Sequence, residues 1–304
     1  MGLADDRRAA QTATNAQEWS QAASLWEHVY QVEQTATTNY QLVTALVHDE
    51  QYGAASTYAA EFEREYLKTD VAADLYVQAL LMSHQYIVAR SFIVARKTVP
   101  SWQAGATKRV VIAETGAEKK LQTTLTTTMR QFYHLSDQPV TAQAERIEAA
   151  RHLTLAKYLT AAQFLLVDPF LHQLSRVEVL YQLRALGVDQ AVPFVWLDGT
   201  QRRVVPATLP VMGTDRTSQT VRQTFQNNWG QHDASLNEGL AALLDLQLMY
   251  LYPEPERVIN DPDAWVNIFV GMQTGSLDSQ QQNTWPELVA VQTKIQTLNL
   301  ELQN

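Results

Sequence analysis

The chain has 304 residues, 46% of them hydrophobic, and a formal net charge of −9. That length suffices for two domains or one continuous helical array, and the acidic balance argues against a nucleic-acid partner. The lack of any cysteine removes disulfide frameworks, thiolate metal sites and thiol nucleophiles together. Residues 1–17 contain no apolar run of the kind a secretory signal needs. No window approaches 18 uninterrupted apolar residues, so a soluble, cytoplasmic protein with no membrane partner is expected. The charge is uneven: residues 1–100 carry −5, residues 101–210 carry +3 and residues 211–304 carry −7. The middle third could attract an acidic partner, although a mixed, solvated surface explains it as well.

In chain order, the spacing predicts a helix over 3–15 with Ala9, Ala10 and Ala13 on one face. Its partner runs from Trp19 to Val32 and buries Ala22, Trp26 and Val29 at three- and four-residue spacing. A second pair follows, with Leu42, Val43 and Leu46 on its first helix and Tyr52, Ala55, Ala59 and Phe62 on its second. The third has Leu75, Tyr76, Val77 and Leu80, then Tyr86, Ala89, Ile93 and Val94, and Pro100 is expected to stop it. Trp19, Tyr52 and Tyr86 each precede an alanine by three residues, and they lie 33 and 34 residues apart. A period near 34, with a large residue at the turn and a small one where the helices approach, suits stacked helix–turn–helix units.

These units resemble tetratricopeptide repeats over residues 1–100. The family usually has a small residue midway along each first helix. Here only Ala10 keeps it, and Val43 and Val77 stand at the other two positions, which implies wider helix spacing. The resemblance implies a right-handed helical solenoid whose concave face, lined by the first helices, holds an extended peptide or a partner helix. It places Tyr40, Thr44, Val47 and His48, then Asp74, Gln78, Leu81 and Met82, on that face. Tyr40, Thr44, His48, Asp74, Gln78 and Met82 are the candidate partner-binding residues. Tyr40, Thr44, Asp74 and Gln78 offer no cationic grip of the sort some relatives use for a C-terminal carboxylate.

Beyond Pro100 the period is lost. Residues 104–135 read as one or two helices and 141–152 as another. Residues 153–187 form a pair similar to a HEAT-type hairpin, with Pro169 where a helix can begin and Gly187 where one ends in a left-handed cap. Val192–Leu197, Asp198-Gly199 and Arg202–Val205 read as a β-hairpin within 192–206. Its Phe194 and Trp196 should pack on a helix, since a lone hairpin is marginal in water, and its basic edge should be exposed. Helices follow over 215–229, 235–252 and 262–273. The second of these, apolar nearly all round, is expected to be the buried axis, and Tyr250, Tyr252 and Trp265 fit either core ends or an aromatic pocket. A polar linker over 274–283 precedes a last helix that has Pro286 in its first turn. The order of elements is similar to that of little-characterised bacterial tetratricopeptide-repeat proteins. The expected domains are 1–100, 101–210 and 211–304.

No phosphate-binding, nucleophile-elbow or zinc-helix motif is present. The seven histidines (28, 48, 84, 134, 152, 172 and 232) are scattered. Glu148 and His152 are one helical turn apart but lack a third ligand nearby in sequence. The expectation is therefore an all-α, non-enzymatic scaffold or adaptor with a protein or peptide partner and no cofactor or metal. The alternatives are a peptide-sensing regulator and a subunit of an enzyme complex. Homo-oligomerisation through the last helix is compatible with each.

Overall fold

The computed structural model describes residues 2–230 and 234–302; His232 lies outside the described residues. Among these the chain is mostly helical, with one two-stranded antiparallel sheet. It divides into two compact units, Met1–Met129 with Ala149–Tyr158, and Arg130–Glu148 with Leu159–Asn304. The break expected near residue 100 thus falls inside the first unit.

The first unit opens with α1 (Leu3–Asn15) and α2 (Trp19–Val32), then α3 (Ala36–His48), α4 (Tyr52–Glu61) and the single turn α5 (Glu63–Tyr66). It continues with α6 (Asp70–Met82), α7 (Tyr86–Ala95) and α8 (Pro100–Lys120). The residue preceding each of α1, α3 and α6 is extended, and the Thr35 and Thr69 hydroxyls accept the Thr38 and Ala72 N–H groups. These caps satisfy donors that a helix start leaves orphaned. Gln17, Glu50 and His84 all adopt left-handed backbone, with φ of 59°, 59° and 61°. A residue with a Cβ costs about 1–2 kcal/mol in that region, and the same closing bonds offset it each time. The N–H groups of Glu18, Gln51 and Gln85 donate to the carbonyls of Ala13, Leu46 and Leu80 at 2.9, 2.9 and 2.8 Å, the long bond of a Schellman closure. Ala22, Ala55 and Ala89 are then fully buried one turn on. Three successive helix pairs therefore share one turn geometry in phase with the aromatic–alanine spacing. Val43 and Val77 are also fully buried.

Two features differ from the expectation. Phe62, with φ −122°, interrupts the second helix of the second pair and separates α4 from α5. Pro100 does not stop a helix but opens α8 at its first position, where a missing N–H is harmless. Arg96 pairs with Asp70 at 2.6 Å and Phe92 lies 4.8 Å from Tyr76, so α7 runs antiparallel to α6. Arg90 pairs with Glu114, and Arg96 lies over Trp102, so α8 runs antiparallel to α7. Helices α6 and α8 are consequently parallel and in contact. α8 takes the place of a further first helix.

The remaining elements are α9 (Gln122–Tyr133), α10 (Val140–Ala150), α11 (Leu155–Leu165), α12 (Gln173–Ala185), β1 (Val192–Val195) and β2 (Gln201–Val204). After them come α13 (Arg216–Trp229), α14 (Ala234–Tyr250), α15 (Pro262–Thr274), α16 (Ser279–Thr284) and α17 (Pro286–Glu301). Pro169 does not begin a helix; α12 starts after His172. The intervening turn is held by Arg176, whose Nη2 donates to the Asp168 and Leu171 carbonyls. Gly187 has the expected positive φ of 67°. In the hairpin Val192 faces Val204 and Val195 faces Gln201. Phe194 and Trp196 are buried, and the Trp196 Nε1–H donates to the Leu251 carbonyl at 3.2 Å. The expected basic edge is partly neutralised, because Arg202 lies over Trp196 and pairs with Asp198 and Glu254. The buried axis is α15, with Trp265, Val266, Ile268, Phe269 and Val270 all buried. α14 buries one stripe only. The linker expected over 274–283 contains α16, started by a reciprocal Asp278–Gln281 capping box. Tyr250 and Tyr252 are core residues, and the Tyr252 hydroxyl donates to the Pro210 carbonyl.

Candidate functional site

The shared turn fixes equivalent positions along the first helices of the three pairs. Arg7, Tyr40 and Asp74 are one set, Gln11, Thr44 and Gln78 a second, and Asn15, His48 and Met82 a third. Between α1 and α3 this face opens into a cleft of about 720 Å³, lined by Arg7, Arg8, Gln11, Thr37, Thr38 and Gln41 among others, with Trp26 at its side. Thr38 belongs to the cap of α3, and the Trp26 Nε1–H donates to Thr14 at 2.9 Å. Arg7 forms an ion pair with Glu33, and Arg8 reaches Asp5 at 3.4 Å. The cleft therefore presents two guanidinium groups and the Glu33 carboxylate together with amide and hydroxyl groups, a mixed lining able both to donate to and to accept from a peptide backbone.

The sequence-predicted residues take different parts. Tyr40 is half-buried, its ring 6.2 Å from that of Tyr66. The Thr44 hydroxyl donates to the Tyr40 carbonyl at 2.7 Å, so its proton is used within α3. His48 is exposed and stacks on Trp19, with ring centroids 4.2 Å apart and an interplanar angle of 15°. Asp74 accepts the Trp102 Nε1–H at 2.9 Å and forms an ion pair with Arg109, so its carboxylate ties α6 to α8. Gln78 and Met82 are exposed, Leu81 is half-buried and Val47 is buried. Arg7, Arg8 and Gln11 were missed by sequence reasoning. The same register that selected Tyr40 and Asp74 points to Arg7, and the signal was available on α1.

In the second unit, a smaller cleft of about 350 Å³ lies beside Trp285 and Arg257 at the start of α17. Its Asp261 carboxylate accepts the Ala264 N–H at 3.0 Å as the cap of α15. Arg257 pairs with Glu254, which raises its pKa further above the ordinary value. Outside that cleft, His172 and Arg176 are buried side chains of the second unit. Burial brings the Arg176 guanidinium down to about 10, against a smaller opposing effect of Asp168. Its Nη1–H donates to Gln173 at 2.6 Å. Those contacts hold a turn.

Among the described residues no three His, Cys, Asp or Glu side chains gather where they could hold a metal ion. α10 ends at Ala150, so His152 is not on the helix that carries Glu148. Among them, too, no helix is long and apolar enough to cross a membrane. No protein-family model, curated protein or solved structure matches the chain. The cleft and the face it belongs to carry the functional argument.

Proposed function

We propose that this is a non-enzymatic interaction protein of tetratricopeptide-like, solenoid architecture, which binds a peptide segment or partner protein along its first-helix face. The observation that carries this reading is the polar cleft between α1 and α3, on the same face that Tyr40, Gln78 and Met82 extend. The repeated turn supports it, because helices fixed by identical closures form a receptor that loses little freedom when a ligand docks. Affinity would then rest on a few anchors, with Arg8, Gln11 and Gln41 among the polar groups that line the cleft.

A photo-reactive phenylalanine analogue placed at Gln11 or Gln41 tests this in cells that express the chain. The same partner should be cross-linked from both positions, and not from Thr57, an exposed residue of α4. Labelling from neither position, or equally from Thr57, would overturn the reading.

A further inference from the structure

The face continues beyond the three pairs onto α8, where its chemistry changes. Met82 of α6 is 53% exposed, and Val111 and Ile112 of α8 are 46% and 62% exposed. Asp74 meets both Trp102 and Arg109. Because α6 and α8 run parallel, Met82, two turns past Asp74, comes level with Ile112. Lys108, Ile112 and Lys119 recur at spacings of four and seven residues, so they share one side of α8. An apolar strip is thus flanked by ammonium groups.

The charge balance of this strip is one-sided. All four carboxylates of α6 and α8 are already paired: Asp70 with Arg96, Asp74 with Arg109, Glu114 with Arg90 and Glu118 with Lys157. Among the described residues, Lys108, Lys119 and Lys120 have no ion pair. A protein of net charge −9 therefore keeps three uncompensated lysines on the helix that exposes two adjacent β-branched residues. Such a surface is complementary to a segment with apolar residues on one side and carboxylates at its flanks. Lys108 and Lys119 are separated by about 16 Å along the axis, or three helical turns. A helix lying alongside α8 matches that length with carboxylates at both ends.

We infer that the α6–α8 strip, with Met82, Val111 and Ile112 between Lys108 and Lys119, docks an acidic amphipathic helix of a partner protein. The inference deepens the proposed function and rests on it, since it names the partner chemistry for one end of the same face.

The probe is a fluorescein-labelled synthetic peptide of about 14 residues, with Leu at helical i, i+3, i+4, i+7 spacing and Glu elsewhere. It is titrated into the full chain and followed by fluorescence anisotropy. Saturable binding is expected, weakened at least about tenfold by Lys108→Glu/Lys119→Glu, by Met82→Ser/Ile112→Ser, or by replacing the peptide's Glu with Gln. All these side chains are exposed, and an unchanged circular dichroism spectrum excludes misfolding. Thr57→Glu, on α4 and outside the face, should leave the peptide's affinity unchanged. Weakening by Arg8→Glu alone, in the α1–α3 cleft, would overturn this site and leave the proposed function standing. Insensitivity to every variant, or no binding at all, would overturn the site, and the cross-linking from Gln11 and Gln41 judges the face as a whole. Retention on phosphatidylserine-containing vesicles in place of the peptide would overturn it in favour of a lipid surface. Self-association abolished by Ile112→Ser, without peptide binding, would overturn it in favour of a second copy of the chain.

Discussion

Glu114 joins three stretches of the first unit with one carboxylate. Its Oε1 accepts from Arg90 Nε at 2.8 Å and from the Leu155 N–H at 3.0 Å, and its Oε2 accepts from Arg90 Nη2 at 2.5 Å. The two side chains are only 16% and 11% exposed, so removing one strands the other in a poorly solvated place, at a cost of about 3–5 kcal/mol. Glu114→Ala should lower the urea midpoint accordingly, while Arg90→Leu/Glu114→Leu should recover much of the loss, because both desolvated charges are then gone. A loss below about 1 kcal/mol for the single variant would mean that water reaches the pair. His172 bears on pH instead. Its Nε2 lies 3.2 Å from the Leu298 carbonyl, and burial pulls its pKa below the ordinary value of 6.5. Below about pH 6.5 the unfolded imidazole takes up a proton that the folded one still refuses. The stabilisation from keeping it neutral is therefore complete above that pH and declines as pH falls through the window beneath it. His28, His48, His84, His134 and His152 are exposed. Urea unfolding at pH 7.5 and 5.5 should show the loss, and His172→Gln should flatten the difference. An unchanged slope in that variant would assign the acid sensitivity elsewhere.

What the sequence disclosed about the elements depended on whether a residue type was forced by its place. Trp19, Tyr52 and Tyr86 with their alanines were legible because a helix crossing tolerates only a small side chain there, and Ala22, Ala55 and Ala89 are fully buried. The left-handed Gln17, Glu50 and His84 were not legible, since glycine, the usual sign of that conformation, is absent from all three. A helix was expected over 104–135, but the role of α8 as a further first helix was not legible, because it rests on Asp74, Trp102 and Arg109 meeting across 28 and 35 residues, which no local pattern reveals. α14 was misjudged for the opposite reason. Its leucines are plentiful, but Leu243 and Met249 remain 39% and 37% exposed, and α15 takes the centre with its unbroken Trp265–Val266 and Ile268–Phe269–Val270 burial. The capping box of α16 was written in Asp278 and Gln281 and obscured by the polar composition around it. Of the first-helix face, only the part on α3 and α6 was sought, and the cleft residues Arg7, Arg8 and Gln11 of α1 were not among the candidates.

For the whole molecule, the net charge of −9 and the three lysines of α8 act on an acidic helix in opposite senses and over different ranges. At about 0.01 M salt the Debye length is about 30 Å, so distant carboxylates repel the approaching peptide. At about 0.1 M it is about 10 Å, which removes most of that repulsion and leaves groups in near contact with Lys108 and Lys119 attracted. At about 1 M it is about 3 Å, and the lysines are screened as well while burial of Met82 and Ile112 persists. Affinity for the acidic amphipathic peptide should therefore pass through a maximum near 0.1 M, rather than fall steadily as it does where a protein and its ligand carry opposite net charge. Lys108→Glu/Lys119→Glu should abolish the maximum and leave affinity rising with salt throughout, since only repulsion would then remain to be screened. Anisotropy titrations at the three salt concentrations separate these curves. A steady rise in the unaltered chain would mean that the lysines stay in water when the peptide binds.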